Sequence, residues 1–256
     1  MEINLFPKFL DEAVMPIAKK TGSTLSSIWT IAFGGIDIYA EKTQLKRVHA
    51  LNQFKDELEQ AVSSIPEENI IEPPLHIVGP SLEASKYYFE NDELRTMFAR
   101  LIASSINIDT ADKVHPAFVE IIKQLSPLDA LNLKLFKIDY RKPIVNYIFR
   151  SSTGNAPCKT NVFLENEQNQ DVNLNSASIS NLARLGLISI SYKTVFQNKD
   201  FYNKYFNTPF LEKERRDLEA YNSQNVNTED LFETIDVEQG IVDITTLGED
   251  FIALCI

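Results

Sequence analysis

The sequence predicts a mainly α-helical protein with a C-terminal α+β part. Three observations carry that expectation. Apolar residues recur at three- and four-residue spacing through most of the first 138 residues, as one face of a helix requires. Helix-start signals punctuate the same region at short intervals, at Gly79-Pro80, Asn91-Asp92-Glu93, His115-Pro116 and Ser126-Pro127. Runs rich in β-branched and aromatic residues come only later, at Ile144–Phe149, Leu187–Phe196 and Gly240–Thr245. The sharpest boundary falls near Leu125–Ser126. It separates a helical region, 1–125, from a second domain, 126–256.

The elements follow in order. Asn4–Lys20 reads as a short amphipathic helix on Leu5, Phe9, Val14 and Ile17, interrupted near Pro16 and broken by Thr21-Gly22-Ser23. Leu25–Tyr39 is the most apolar window. Leu25, Ile28, Trp29, Ala32, Ile36 and Tyr39 make one helical face, and Ile31, Phe33 and Ile38 make much of the other side apolar too. Such a helix reaches about 24 Å at roughly 1.5 Å per residue, short of a hydrocarbon core of about 30 Å. It reads as a buried central helix, or as a segment inserted into a partner. Glu41–Ser63 is a polar amphipathic helix with Leu45, Val48, Leu51, Leu58, Ala61 and Val62 as its stripe and a solvated charged face opposite.

The stretch from Glu72 to Leu128 is the densest in punctuation. Pro73-Pro74 forces extended chain, and Gly79-Pro80 reads as a helix start. Asn91 caps a helix whose Leu94, Met97, Phe98, Leu101, Ile102 and Ser105 share a face; Ala103, Ser104 and Ser105 permit a close helix crossing. His115-Pro116 opens the next helix, and Ser126-Pro127-Leu128-Asp129 has capping-box-like spacing. These pieces, in this order, resemble the Abi-alpha (abortive infection alpha, DUF4393-type) family of bacterial proteins. The resemblance rests on Glu72-Pro73-Pro74, Gly79-Pro80, Glu93-Leu94-Arg95, Met97-Phe98-Ala99, Ala103-Ser104-Ser105, His115-Pro116-Ala117-Phe118-Val119 and Gln124-Leu125-Ser126-Pro127. It implies a role in defence against phage, and it implies no active site.

Beyond Ser126–Ile138, Lys142-Pro143 is expected to end a helix, and Ile144–Phe149 to form a strand. Ser151–Pro157 and the asparagine-rich Glu165–Asn175 read as loops. Ser176 or Ser178 is expected to cap a helix stopped at Gly186. The strand Leu187–Phe196 follows, then a long charged insertion with a surface helix over Glu212–Tyr221, the strand Gly240–Thr245 and a closing helix, Thr246–Cys255. The order helix, strand, insertion, strand, helix resembles a winged-helix domain with a long insertion.

A net charge of −11 argues against broad phosphate-backbone binding. The helix at Ser176–Leu185 carries one basic residue, Arg184, where DNA-reading helices carry several. Lys193, Lys199 and Lys204 form a small basic set beyond it. Two cysteines far apart, Cys158 and Cys255, read as reduced thiols, and the N-terminus lacks signal-peptide features; both point to the cytoplasm. There is no phosphate loop, metal-ligand spacing or nucleophile elbow, so no cofactor and no metal are expected. Asp112 and His115 are the best polar pair, and at a loop-to-helix junction they read as backbone-fixing groups. Arg95 reads as an exposed or snorkelling arginine that could meet an anion or a partner. Trp29 and Ile36 mark the apolar helix as core or interface.

The resulting expectation is a defence protein that acts by binding a protein partner or a second copy. A peripheral membrane contact is a weaker alternative, since negative charge disfavours anionic lipid. The other function classes are a nucleic-acid-binding regulator and an enzyme with an unrecognised site.

Overall fold

Proline in a first helical turn loses no hydrogen bond, because its N–H would have no intrahelical partner there. Pro16 takes that place. Helix α1 runs Pro16–Phe33 and continues through Thr21-Gly22-Ser23, where the sequence predicted a break. The computed structural model describes residues 7–34, 41–225 and 231–256, with the side chains of 41–45 outside that description. The apolar helix expected across Leu25–Tyr39 is therefore described as far as Gly34, whose N–H donates to Thr30 O at 2.8 Å. Ile36 lies outside the described residues. Gly22 is required where it stands: a Cβ there would lie 2.0 Å from the Phe9 carbonyl oxygen.

The chain divides into two compact units, Met1–Ala130 with Asp250–Ile256, and Leu131–Glu249. In the first, α1 is joined by α2 (Glu41–Ser63), α3 (Leu75–Ser85), α4 (Asp92–Ser105) and α5 (Ala117–Gln124). Its centre is aromatic. Trp29 stacks on Phe54 with ring centroids 5.4 Å apart, meets Phe33 at 4.4 Å and takes Phe9 edge-on at 6.2 Å. Phe54 is fully buried with Leu51, Leu58 and Val62 on one stripe of α2, a member that the predicted stripe omitted. The inner face of α1 is thus covered by its own unit, while Ile31 points outward at 82% exposure.

Two helix starts behave differently. Asn91 caps α4 as expected, its side chain accepting from Leu94 N at 3.0 Å, with Asp92 and Glu93 at the positive end of the helix. Gly79-Pro80 does not start a helix. α3 begins at Leu75, directly after Pro74, and holds Pro80 inside it. Burial of Ile77, Val78, Ser81 and Leu82 on both sides of Pro80 outweighs the missing backbone bond. At the next junction Ser126 and Asp129 cap each other across the start of α6 (Pro127–Lys134). Ser126 N donates to Asp129 Oδ2 at 2.7 Å and Asp129 N to Ser126 Oγ at 3.2 Å.

In the second unit, among the described residues, the strands form one four-stranded antiparallel sheet of order β2-β1-β4-β3. These are β1 (Arg141–Arg150), β2 (Asn155–Val162), β3 (Ile188–Ser191) and β4 (Thr234–Ile244). β1 pairs with β4 over the whole length of β1, from Arg141 opposite Asp243 to Arg150 opposite Thr234. Pro143 lies within β1, opposite Ile241, so Lys142-Pro143 is strand and not a helix end. Ser151–Pro157, expected as a loop, contains the turn and the start of β2. Proline is tolerated there because β2 is an edge strand. Helix α7 (Val172–Arg184) starts earlier than predicted. Asp171 caps it, accepting from Asn173 N at 2.8 Å and Leu174 N at 2.9 Å. Ser176 and Ser178 face inward instead, Ser176 donating to Thr160 O and Ser178 accepting from Asn132 Nδ2. Gly186, at φ 75°, ends the helix as predicted. Helix α8 (Pro209–Gln224) is the expected surface helix of the insertion, and α9 (Thr246–Cys255) closes the described chain. What stands of the winged-helix-like expectation is this order of helix, strand, insertion, strand and helix on an antiparallel sheet.

Gly22→Ala should destabilise the first unit by about 1–3 kcal/mol, because the added methyl meets fixed backbone rather than a movable side chain. Urea denaturation followed by tryptophan fluorescence reads this directly, since Trp29 is the sole tryptophan.

Candidate functional site

A guanidinium taken out of water needs acceptors on every side. Arg95 is 4% exposed, which corrects the expectation of an exposed or snorkelling side chain. Its position on α4 points it at α2, where Glu57 Oε1 accepts from Nε at 2.9 Å and from Nη2 at 2.7 Å. Nη1 reaches Asp92 Oδ1 at 2.8 Å and Phe89 O at 3.2 Å. Burial works against the charge of Arg95, but hydrogen bonds and attraction from Glu57 and Asp92 outweigh it and raise its pKa. The second oxygen of Glu57 accepts from Thr96 Oγ1 at 3.0 Å. Glu57 was read as part of a solvated face; its partner lies 38 residues away, and no local pattern reveals it.

This ion pair stands at one end of a cleft of about 480 Å³ between α2, α4 and the last turn of α9. The volume falls in the usual range for ligand-holding clefts, roughly 300–1,000 Å³. Small side chains line it: Ala61 from α2 and Ser64 just past its end, Ala99 and Ala103 from α4, Ala253 from α9. The small residues predicted to allow a close helix crossing therefore make this hollow, with Ser104 donating to Leu254 O at 3.0 Å at its base. Thr110 holds the far end, donating to Ser104 O at 2.7 Å. Glu57 and Arg100 are the charged members of the lining, and Arg100 donates to the main-chain oxygen of Ile256.

The remaining sequence-selected residues do not converge on the cleft. Trp29 is in the aromatic core. Asp112 lies exposed in the short turn Ala111–Lys113, and His115 Nδ1 accepts from Ala117 N at 3.1 Å at the start of α5. His49 and His76 are exposed elsewhere. Among the described residues, no three His, Cys, Asp or Glu side chains come together as a metal site, and no helix is long and apolar enough to cross a membrane.

In the second unit, the buried Tyr205 hydroxyl is engaged in internal hydrogen bonds. The Tyr205 hydroxyl accepts from Leu164 N and lies 3.0 Å from both Pro143 O and Glu165 Oε1. Burial, reinforced by the Glu165 charge, pushes its pKa well up, so it remains a protonated donor. Burial likewise raises the Cys158 thiol to about 11, helped by the Glu214 charge. In the first unit, burial also raises the pKa of Cys255.

Two outcomes follow from this chemistry. Arg95→Met should cost about 2–4 kcal/mol in urea unfolding, since it leaves Glu57 unmatched; adding Glu57→Met should recover much of that loss. Cys158 should react with iodoacetamide at pH 7.5 about 100-fold more slowly than a thiol of pKa 9.0, because both pKa values lie above that pH. Its rate should climb towards pH 11 and become ordinary in denaturant.

No curated protein and no solved structure matches the chain. A family model described as abortive infection alpha matches residues 46–255, which include α4, the cleft and the whole sheet of the second unit. The match spans most of the sequence, so the chain belongs to the abortive infection alpha family.

Proposed function

We propose that this protein defends a bacterium against phage by abortive infection, acting in the cytoplasm through protein–protein binding at the α2–α4–α9 cleft. Family membership supports the defence role. One observation carries the binding role: the cleft is lined mainly by small and neutral side chains, and its carboxylate, Glu57, is already bound to Arg95 and Thr96. A general base needs a lone pair aimed at substrate, and a nucleophile needs an activating neighbour. The cleft lining offers neither a histidine nor a cysteine. It offers shape, hydroxyls and amides, which are the means of recognition.

The same reading moves the interface expected of the apolar N-terminal helix. Trp29, Leu25 and Phe33 are covered by their own unit, so any partner of α1 would meet its outer face, where Ile31 is exposed. We place the working surface in the cleft because it is concave and polar groups converge on it.

The test is protection. A susceptible bacterium expressing the wild type should show reduced plaquing by at least one phage of a broad panel. Ser64→Trp, at an exposed position on the cleft wall, should abolish that protection with an unchanged melting temperature, while Lys213→Ala on α8 should keep it. No protection against any phage would remove the defence reading. Full protection by Ser64→Trp would remove the cleft from the mechanism.

A further inference from the structure

We infer that the open edge of β4 receives an extended segment of a partner protein as an added strand, one that carries a lysine or arginine beside an apolar residue. The two strands on this side of the sheet differ in length. β4 runs Thr234–Ile244, whereas β3 ends at Ser191, opposite Ile241. There the chain leaves the ladder: Lys193 N turns back to donate to Ser191 Oγ at 3.3 Å, and the Tyr192 ring lies against Gly240. Among the described residues, no backbone pairs with β4 beyond that point on the β3 side.

Parity identifies the groups left open. Backbone groups of successive residues in an antiparallel strand point to alternate sides. Ile244 N donates to Tyr140 O, towards β1, and Thr245 N donates to Leu187 O, towards β3. The register with β1 is continuous from Asp243 to Thr234, so the alternation carries through β4. Gln239, Val237 and Ile235 therefore aim their N–H and C=O groups at the side where β3 has ended. Together they span about 14 Å at roughly 3.4 Å per residue. Only an extended chain presents donors and acceptors at the same two-residue interval; a helix has used its own internally.

Side chains select the strand. Asp236 and Glu238 lie on the opposite face from Ile235 and Val237. Arg150 neutralises Asp236. Among the described residues, Glu238 has one hydrogen-bond partner, the neutral amide of Asn146, which donates to Oε2 at 2.8 Å. That bond leaves the charge of Glu238 uncompensated and Oε1 open. In an antiparallel addition Glu238 takes a non-hydrogen-bonded position, where facing side chains come closest. A lysine or arginine opposite it gains a carboxylate, and an apolar residue opposite half-buried Val237 extends the core margin. Pairing β4 with β4 of a second copy is the poorer match, because Thr234–Ile244 contains no basic residue to meet Glu238 in any register.

The test pans the purified full chain against a display library of ten-residue linear peptides. Selected peptides should alternate Val, Ile or Thr with Lys or Arg. On binding they should slow amide hydrogen exchange at Ile235, Val237 and Gln239. N-methylation of the alternate peptide residues that face β4 should abolish binding, and N-methylation of the intervening residues should leave it intact. Glu238→Gln, which keeps an acceptor for Asn146, should weaken binding about three-fold, and Glu238→Lys about ten-fold. Melting temperatures show whether the variants fold, and Glu238→Gln decides alone should Glu238→Lys not. Binding that leaves exchange at those amides unchanged, or an empty selection, would overturn the edge as a docking site. Slowed exchange with peptides that lack a basic residue, or binding indifferent to Glu238→Gln, would overturn the basic partner. Binding at this edge is independent of the cleft, which belongs to the first unit.

Discussion

A buried positive charge constrains everything around it, because it is tolerated only while its acceptors stay in place. Arg95 imposes that condition on the first unit. It binds Glu57 of α2, Asp92 in the first turn of its own helix and the carbonyl of Phe89 in the segment before it. Sliding α4 along α2 by one residue would break both bonds to Glu57 at once. The apolar core alone would tolerate such slippage far better, since burial is non-directional. The ion pair thus sets the register of the two helices, and that register aligns Ala61 with Ala99 and Ala103 as facing walls of the cleft.

The second unit solves a similar problem with neutral groups. Its long insertion returns to the sheet through tyrosine hydroxyls. Tyr147 donates to Tyr205 O at 2.8 Å, and Tyr202 donates to Gly240 O at 2.8 Å. Asparagines lock the segment before α7: Asn132 bridges Asn175 and Ser178, and Asn166 donates back to Asn132 Oδ1 at 2.8 Å. Each buried polar atom in this chain of amides has a partner, which is what makes the amides compatible with an interior. A composition that looks like solvated loop is in fact a closed hydrogen-bonded set.

The parts of the fold legible in the sequence were those governed by neighbours. The α4 cap at Asn91, its apolar face, the Ser126–Asp129 start and the stop at Gly186 all depend on residues within a few positions of each other. What escaped depends on distant partners. β2 reads as polar chain because its strand character comes from pairing with β1, not from its own residues. Pro80 reads as a helix start because the burial that overrides it is tertiary. The cleft was legible only as a run of small residues at Ala103-Ser104-Ser105. Its other wall, and the role of Glu57, depend on α2 packing against α4 some forty positions away.

The pairing of β1 with β4 bears on when this molecule can form during synthesis. Arg141 and Asp243 are 102 residues apart in sequence, yet they sit side by side at one end of the central strand pair. A ribosome emits β1, the β2 hairpin, α7 and the whole insertion before the strand that pairs β1 along its other edge exists. Contacts of such long sequence separation close late and slowly, because the loop entropy is lost before the pairing is gained. The helical contacts between α1 and α5 need no such wait. Nascent chains will therefore carry an open sheet edge from the completion of β1 until β4 emerges, and chaperone engagement should concentrate on β1 in that interval.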